Sequence, residues 1–182
     1  MKTIGSIAIL CSTMALVWAA QAEEREAPAL CHELQKTKRS LAEGIRESSK
    51  GAEVPISAKF ELDDHGKLSL SVYTVGKGLG VAAENNVLKE LSATPESPQW
   101  VPSVEIFKDP VHIARASEQL TLMALTSKSL VEIVNKAEAE KLGTVYAIAP
   151  ILQEKKPFFD VLVVLKGKVT EIRYDLYTGA KL

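Results

Sequence analysis

Cysteine and histidine are two residue types that could act as a nucleophile, a base or a metal ligand near neutral pH. The two cysteines are Cys11 and Cys31, and the three histidines are His32, His65 and His112. No histidine lies four residues from another, and no Cys-x-x-Cys pair exists. Because a structural zinc site needs about four clustered ligands, the sequence predicts no metal site. We also expect no cofactor site and no catalytic residue.

The neighbours Cys31 and His32 could be drawn as a nucleophile with its base. Successive residues on a helix point about 100° apart and seldom meet, so we interpret Cys31 as a small buried hydrophobe on a helix face. The alternative is a reactive thiol in a small envelope enzyme or redox accessory that uses Cys31 and a histidine. Under that alternative, replacing Cys31 by serine abolishes the activity.

Two other short patterns give little indication of a binding or catalytic site. Residues 76–80 are rich in glycine and their amides could bind an anion, but the Gly-Lys-Ser/Thr ending and the following helix of a phosphate loop are missing. Residues 63–66, Asp-Asp-His-Gly, are typical of a solvated hairpin turn.

Length and composition exclude several classes of protein. The chain has 182 residues, of which 46% are hydrophobic and two are cysteines, as in a globular domain rather than a disulfide scaffold. The formal net charge is -1 and aromatic residues make up 5%. We therefore expect no nucleic acid partner and no stacking platform for bases.

Residues 1–22 have the organisation of a secretory signal peptide, with Lys2, an apolar run over residues 4–20 and the triplet Ala20-Gln21-Ala22. We expect cleavage after Ala22, a periplasmic or secreted protein, and no membrane span once the signal is removed. An N-terminal membrane anchor is the alternative, because a run of about 17 residues is near the lower limit for a span. After cleavage Cys31 would be a free thiol or part of an intermolecular disulfide.

The C-terminal part of the chain is predicted to form one helix followed by three strands. Ser129 and Glu132 have the spacing of a capping box, and apolar residues follow at helical spacing. Gly143 stands where a left-handed residue would end the helix. The predicted strands are residues 144–152, 157–165 and 169–177.

The N-terminal part repeats the same order of elements. The apolar stripe of one predicted helix, which ends near Gly51, consists of Leu30, Leu34, Leu41 and Ile45. The predicted strands are residues 54–62, 68–72 and 87–92. Pro55 near the start of the first strand indicates a sheet edge at that point.

We predict an α+β fold of two pseudo-repeated units, each a helix with a three-stranded antiparallel sheet, joined by a helical linker. Asp109 and Pro110 have the types of an N-cap and a first helical residue in that linker. The predicted segments are a signal peptide at 1–22, an N-terminal unit at 23–95, a linker at 96–126 with a helix over about 110–124, and a C-terminal unit at 127–182.

Residues 127–182 also carry several short motifs in a fixed order. They are Ser129-Leu130-Val131-Glu132, Val161-Leu162-Val163-Val164-Leu165, Gly167-Lys168-Val169 and the ending Tyr174-Asp175-Leu176-Tyr177-Thr178-Gly179-Ala180-Lys181-Leu182. With these motifs the C-terminal unit resembles a PepSY domain, and the N-terminal half resembles a degenerate second copy. The resemblance implies a bacterial envelope or secreted protein, either a peptidase propeptide or a separate binding or inhibitory module, with no catalytic residues.

We therefore expect an exported, non-enzymatic PepSY-like module that binds a protein or peptide along an open sheet edge or across an exposed sheet face. Regulation or inhibition of an envelope protease is one form of this function. Two alternatives stay open. One is the enzyme or redox accessory built on Cys31 and a histidine; the other is a structural component of an envelope assembly, which an extensive apolar surface patch would indicate.

Overall fold

The computed structural model describes residues 28–140 and 143–182. The predicted signal peptide and its cleavage point lie outside the described residues. The helices are α1 (28–34), α2 (Leu41–Ser48), α3 (Pro110–Ala124) and α4 (Leu130–Ala139), and the strands are β1 (Val54–Leu62), β2 (Leu68–Val75), β3 (Leu88–Ala93), β4 (Ser103–Ile106), β5 (Thr144–Gln153), β6 (Lys156–Leu165) and β7 (Lys168–Asp175). Within the described ranges, every helix is too short or too polar to cross a membrane.

The seven strands of the described residues belong to one antiparallel sheet, in the order β4-β3-β2-β1-β5-β6-β7. The α+β class is confirmed, but the sheet is larger than the three-stranded units that the sequence predicts. Two causes account for the difference. Ala58 and Lys59 of β1 pair with Ile148 and Ala147 of β5, which joins the two halves edge to edge, and β4 adds a strand that was predicted as irregular linker.

The single helix predicted through Leu34 and Leu41 is wrong, because α1 and α2 are separate helices. Ser40 caps α2: its hydroxyl accepts from the amide of Glu43 at 3.2 Å, and the Glu43 carboxylate accepts from the amide of Ser40 at 2.7 Å. This reciprocal capping box starts a new helix at Leu41. The bond from the Ser40 amide holds the pKa of the Glu43 carboxyl below its usual range.

Although β1 lies in the middle of the sheet, its first residues have pairing partners in β2 but not in β5. Pro55 pairs with Thr74 of β2, and the register shifts by one residue between Pro55 and Ser57. The pairing with β5 begins further along, at Ala58. A residue without a backbone N–H is tolerated at such a position, as the sequence indicates.

The helices cover both faces of the sheet. Gly44 of α2 packs so closely on β2 that an added Cβ would lie 2.2 Å from the Cδ2 atom of Leu70. In α4, the Lys136 ammonium lies 5.6 Å from the ring centre of Tyr174. Strand pairing places Leu70 and Tyr174 on the same side of the sheet as Ala58. We call this side face A.

Helix α3 packs on the opposite side, face B, at the junction between the two halves. Ser57, which points away from Ala58 in β1, donates a hydrogen bond from its hydroxyl to the Gln119 side-chain oxygen at 2.7 Å. Both side chains are buried. The predicted cap of α3 is confirmed: the Asp109 carboxylate accepts from the amide of His112 at 3.0 Å, with Pro110 in the first turn.

The chain end turns back along the outer edge of β7. The Asp175 carboxylate accepts from the amides of Tyr177 at 3.1 Å and Thr178 at 2.8 Å, and Gly179 has a φ of +66°. These bonds, with the one from Thr178 first, lower the pKa of the Asp175 carboxyl. Leu182 then donates to the carbonyl of Arg173 at 2.9 Å, so the last residues cover one end of this sheet edge.

Candidate functional site

The cysteine that the sequence singles out lies within the folded part of the molecule. Cys31 is on α1, its thiol is free, and 5% of the residue is exposed. Within residues 28–140 and 143–182, no partner forms a hydrogen bond with this thiol. Its burial fits a packed hydrophobe, and the reactive-thiol alternative stays a prediction.

The three histidines lie on separate elements. His32 on α1 is exposed and its Nδ1 atom lies 3.1 Å from the Glu33 carboxylate. His65 is in the β1–β2 turn, where its amide donates to the Asp63 carboxylate at 2.9 Å. His112 on α3 stacks on Phe107 with ring centres 5.2 Å apart. The part of the chain that is described holds no group of three His, Cys, Asp or Glu residues that could bind a metal.

The outer edge of β4 is open to a further strand. Its inner edge pairs with β3, and none of the described strands pairs with its outer edge. The amide of Phe107 donates to the carbonyl of Leu88 at 3.0 Å, which marks these two residues as a hydrogen-bonded pair. Hydrogen-bonded and non-hydrogen-bonded pairs alternate in an antiparallel ladder. The N–H and C=O groups of Val104 and Ile106 therefore point outward, away from β3.

The same two residues present apolar side chains to solvent. Val104 is 58% exposed and Ile106 is 54% exposed. Val104 pairs with Leu91 of β3, which follows in register from Ala58 of β1, so Val104 and Ile106 both lie on face A. Val101 and Val111, on either side of β4 in the sequence, are 76% and 68% exposed. An edge with free backbone groups and apolar side chains is suited to pairing with another strand.

The opposite edge of the sheet, at β7, is partly covered by the chain end. By the same alternation, the outward backbone groups of β7 belong to Val169, Glu171, Arg173 and Asp175. The chain end already occupies part of this edge, since Leu182 donates to Arg173 and Asp175 donates to Ala180 at 2.7 Å. We therefore place the candidate site at β4.

On face B, the β4 edge is acidic. Glu105 of β4 lies directly opposite Glu90 of β3. Glu90 pairs in turn with Tyr73 of β2, whose ring lies 5.6 Å from that of Phe107. Burial raises the pKa of the Tyr73 hydroxyl; the Lys59 ammonium opposes this shift, and the Glu90 carboxylate adds to it.

Val104, Glu105 and Ile106 are site residues that could not be recognised from the sequence pattern used above. Pro98 and Pro102 led to a prediction of irregular chain between the two units. The signal that could have found β4 is the alternation of polar and apolar types in residues 103–106.

No family model matches the chain, and no curated protein matches it. The solved structure of a candidate lipoprotein from Clostridium difficile 630 is similar with a TM-score of 0.39 and 14% sequence identity, covering 81% of this chain and 92% of that chain. A likeness this distant carries no argument about fold or activity.

Proposed function

We propose that this protein is an exported, non-enzymatic binding module that takes up an extended segment of a protein partner as an eighth strand beside β4. The observation that carries the proposal is the coincidence of two properties at Val104 and Ile106. Their backbone N–H and C=O groups point outward, and their side chains are exposed and apolar. In this mode of recognition, main-chain hydrogen bonds supply affinity and alternate side chains supply specificity.

The interaction energy available at this edge is modest. The outward groups are two N–H and two C=O groups, and each backbone hydrogen bond contributes about 1 kcal/mol net. Covering the two apolar side chains adds about 25 cal/mol for each Å² removed from water. Because ordering the incoming segment opposes these gains, reversible binding is expected.

The order of elements in the two halves supports a PepSY-like interpretation. Helix α2 precedes β1, β2 and β3, and helix α4 precedes β5, β6 and β7. The C-terminal ending, with its Asp175 turn and Gly179, is also the part of the chain on which the resemblance rests. Regulation or inhibition of a protease in the periplasm or outside the cell is the form of the proposal that this resemblance favours.

A pair of synthetic peptides tests strand addition. The first peptide has about eight residues with valine and threonine alternating, and the second is identical except that two successive central amides are N-methylated. We expect the first to bind and the second to bind at least about tenfold more weakly, because blocked amides remove hydrogen bonds on both edges of the peptide. Fluorescence anisotropy of labelled peptides measures both affinities. Equal affinities, or no binding by either peptide, would contradict strand addition.

A further inference from the structure

We infer that the β4 edge selects a partner strand in which apolar and basic residues alternate. The inference rests on the proposed function, because it specifies which strand the edge accepts. It is carried by the position of Glu105 between Val104 and Ile106, on the opposite face of the strand.

The acidic side of the edge is built from two adjacent strands. Glu90 and Glu105 are directly opposite each other in the β3–β4 ladder, in a pair that the alternation makes hydrogen-bonded. Like charges that face each other across a ladder disfavour the pairing. No cation within the described ranges forms an ion pair with either carboxylate. A basic side chain of a bound partner would therefore offset the repulsion between the Glu90 and Glu105 carboxylates.

The geometry of strand addition puts the partner side chain close to Glu105. Because Val104 and Ile106 would make the hydrogen bonds to the incoming strand, the residue opposite Glu105 would sit in a non-hydrogen-bonded pair. Side chains approach most closely in pairs of this kind, with Cβ atoms about 4.5–5.5 Å apart. A lysine or arginine there would contact Glu105 and lie near Glu90, and an acidic residue would add a third like charge.

The other face of the edge requires apolar partners. The residues opposite Val104 and Ile106 would lie on face A, beside two exposed aliphatic side chains. A second copy of β4 fits this pattern poorly. In the antiparallel register that pairs Val104 with Ile106, Glu105 would face Glu105 of the other copy. We therefore favour a different protein segment over self-association.

Two charge-reversed peptides test this inference. Both have valine at alternate positions, with lysine between the valines in one peptide and glutamate in the other. We expect the lysine peptide to bind at least about fivefold more tightly, since it exchanges a repulsion for an attraction at Glu105. Added salt should reduce the difference, because exposed charges are screened. Labelled peptides and anisotropy again provide the measurement.

Variants of the protein identify the carboxylates involved. The double variant Glu90→Gln and Glu105→Gln should lose most of the preference for lysine, and Glu171→Gln on the outer edge of β7 should keep it. Equal affinities of the lysine and glutamate peptides for the unaltered protein would overturn the charge selection and leave strand addition standing. No binding by either peptide would overturn both ideas, and self-association through β4 in light scattering would replace the foreign partner with a second copy.

Discussion

Replacing Val104 by proline is expected to weaken binding of the valine–threonine peptide at least about tenfold while leaving the fold nearly as stable as before. Proline removes the outward N–H of residue 104, which the incoming strand needs and which β3 does not use. Proline is tolerated at edge positions whose N–H faces solvent, and Ser103 before it already has the extended conformation that proline favours. Peptide titration and thermal melting measure the two effects.

Matched variants separate the backbone from the side chain. Val104→Ala keeps the outward N–H and should weaken binding less than proline does. Glu171→Pro makes the same backbone change at an outward position of β7 and should leave peptide binding unchanged. If the Val104→Pro variant is folded and binds the peptide like the unaltered protein, β4 is not the docking edge.

Gly143→Ala is expected to have the largest effect on stability. Gly143 has a φ of +123°, and an added Cβ would lie 2.3 Å from the carbonyl oxygen and 2.8 Å from the carbonyl carbon of Val164. The contacted atoms are backbone in the β6 strand, so they cannot move aside as a side-chain tip can. Backbone strain and overlap together should cost about 3 kcal/mol or more of the free energy of unfolding. Urea denaturation measures the loss.

Gly66→Ala is the control for the conformational part of that loss. Gly66 has a φ of +71°, and an added Cβ there would meet no atom within 4 Å. Its substitution should cost about 1–2 kcal/mol, the ordinary penalty for a side chain in the left-handed region. If Gly143→Ala and Gly66→Ala lower the free energy of unfolding by similar amounts, the close approach to Val164 does not affect stability.

Local patterns predicted the strands best where the periodicity was long. The alternation over residues 54–62 has the same bounds as β1, because apolar residues at every second position over nine residues are typical of a strand. The same reasoning failed at residues 30–45. A helical stripe continues through Leu34 and Leu41, but the Ser40 capping box, a stronger local signal, divides it into two helices.

The joining of the two halves could not be predicted from the sequence. Ala58 and Lys59 pair with residues 90 and 88 positions further along the chain, and nothing in the types of these residues indicates which strand lies beside β1. The candidate site depends on this kind of information as well. Residues 103–106 alternate in polarity, yet only the pairing of β4 with β3 shows which backbone groups point outward.

Amide hydrogen exchange at Val104 and Ile106 tests the docking edge most directly. These two amides should exchange quickly in the free protein and at least about tenfold more slowly when the valine–threonine peptide saturates the protein. Glu105, whose amide already belongs to the ladder with β3, should change little. If the peptide binds and the slowing occurs at Val169 and Glu171 instead, or leaves both edges unaffected, partner recognition through β4 is wrong.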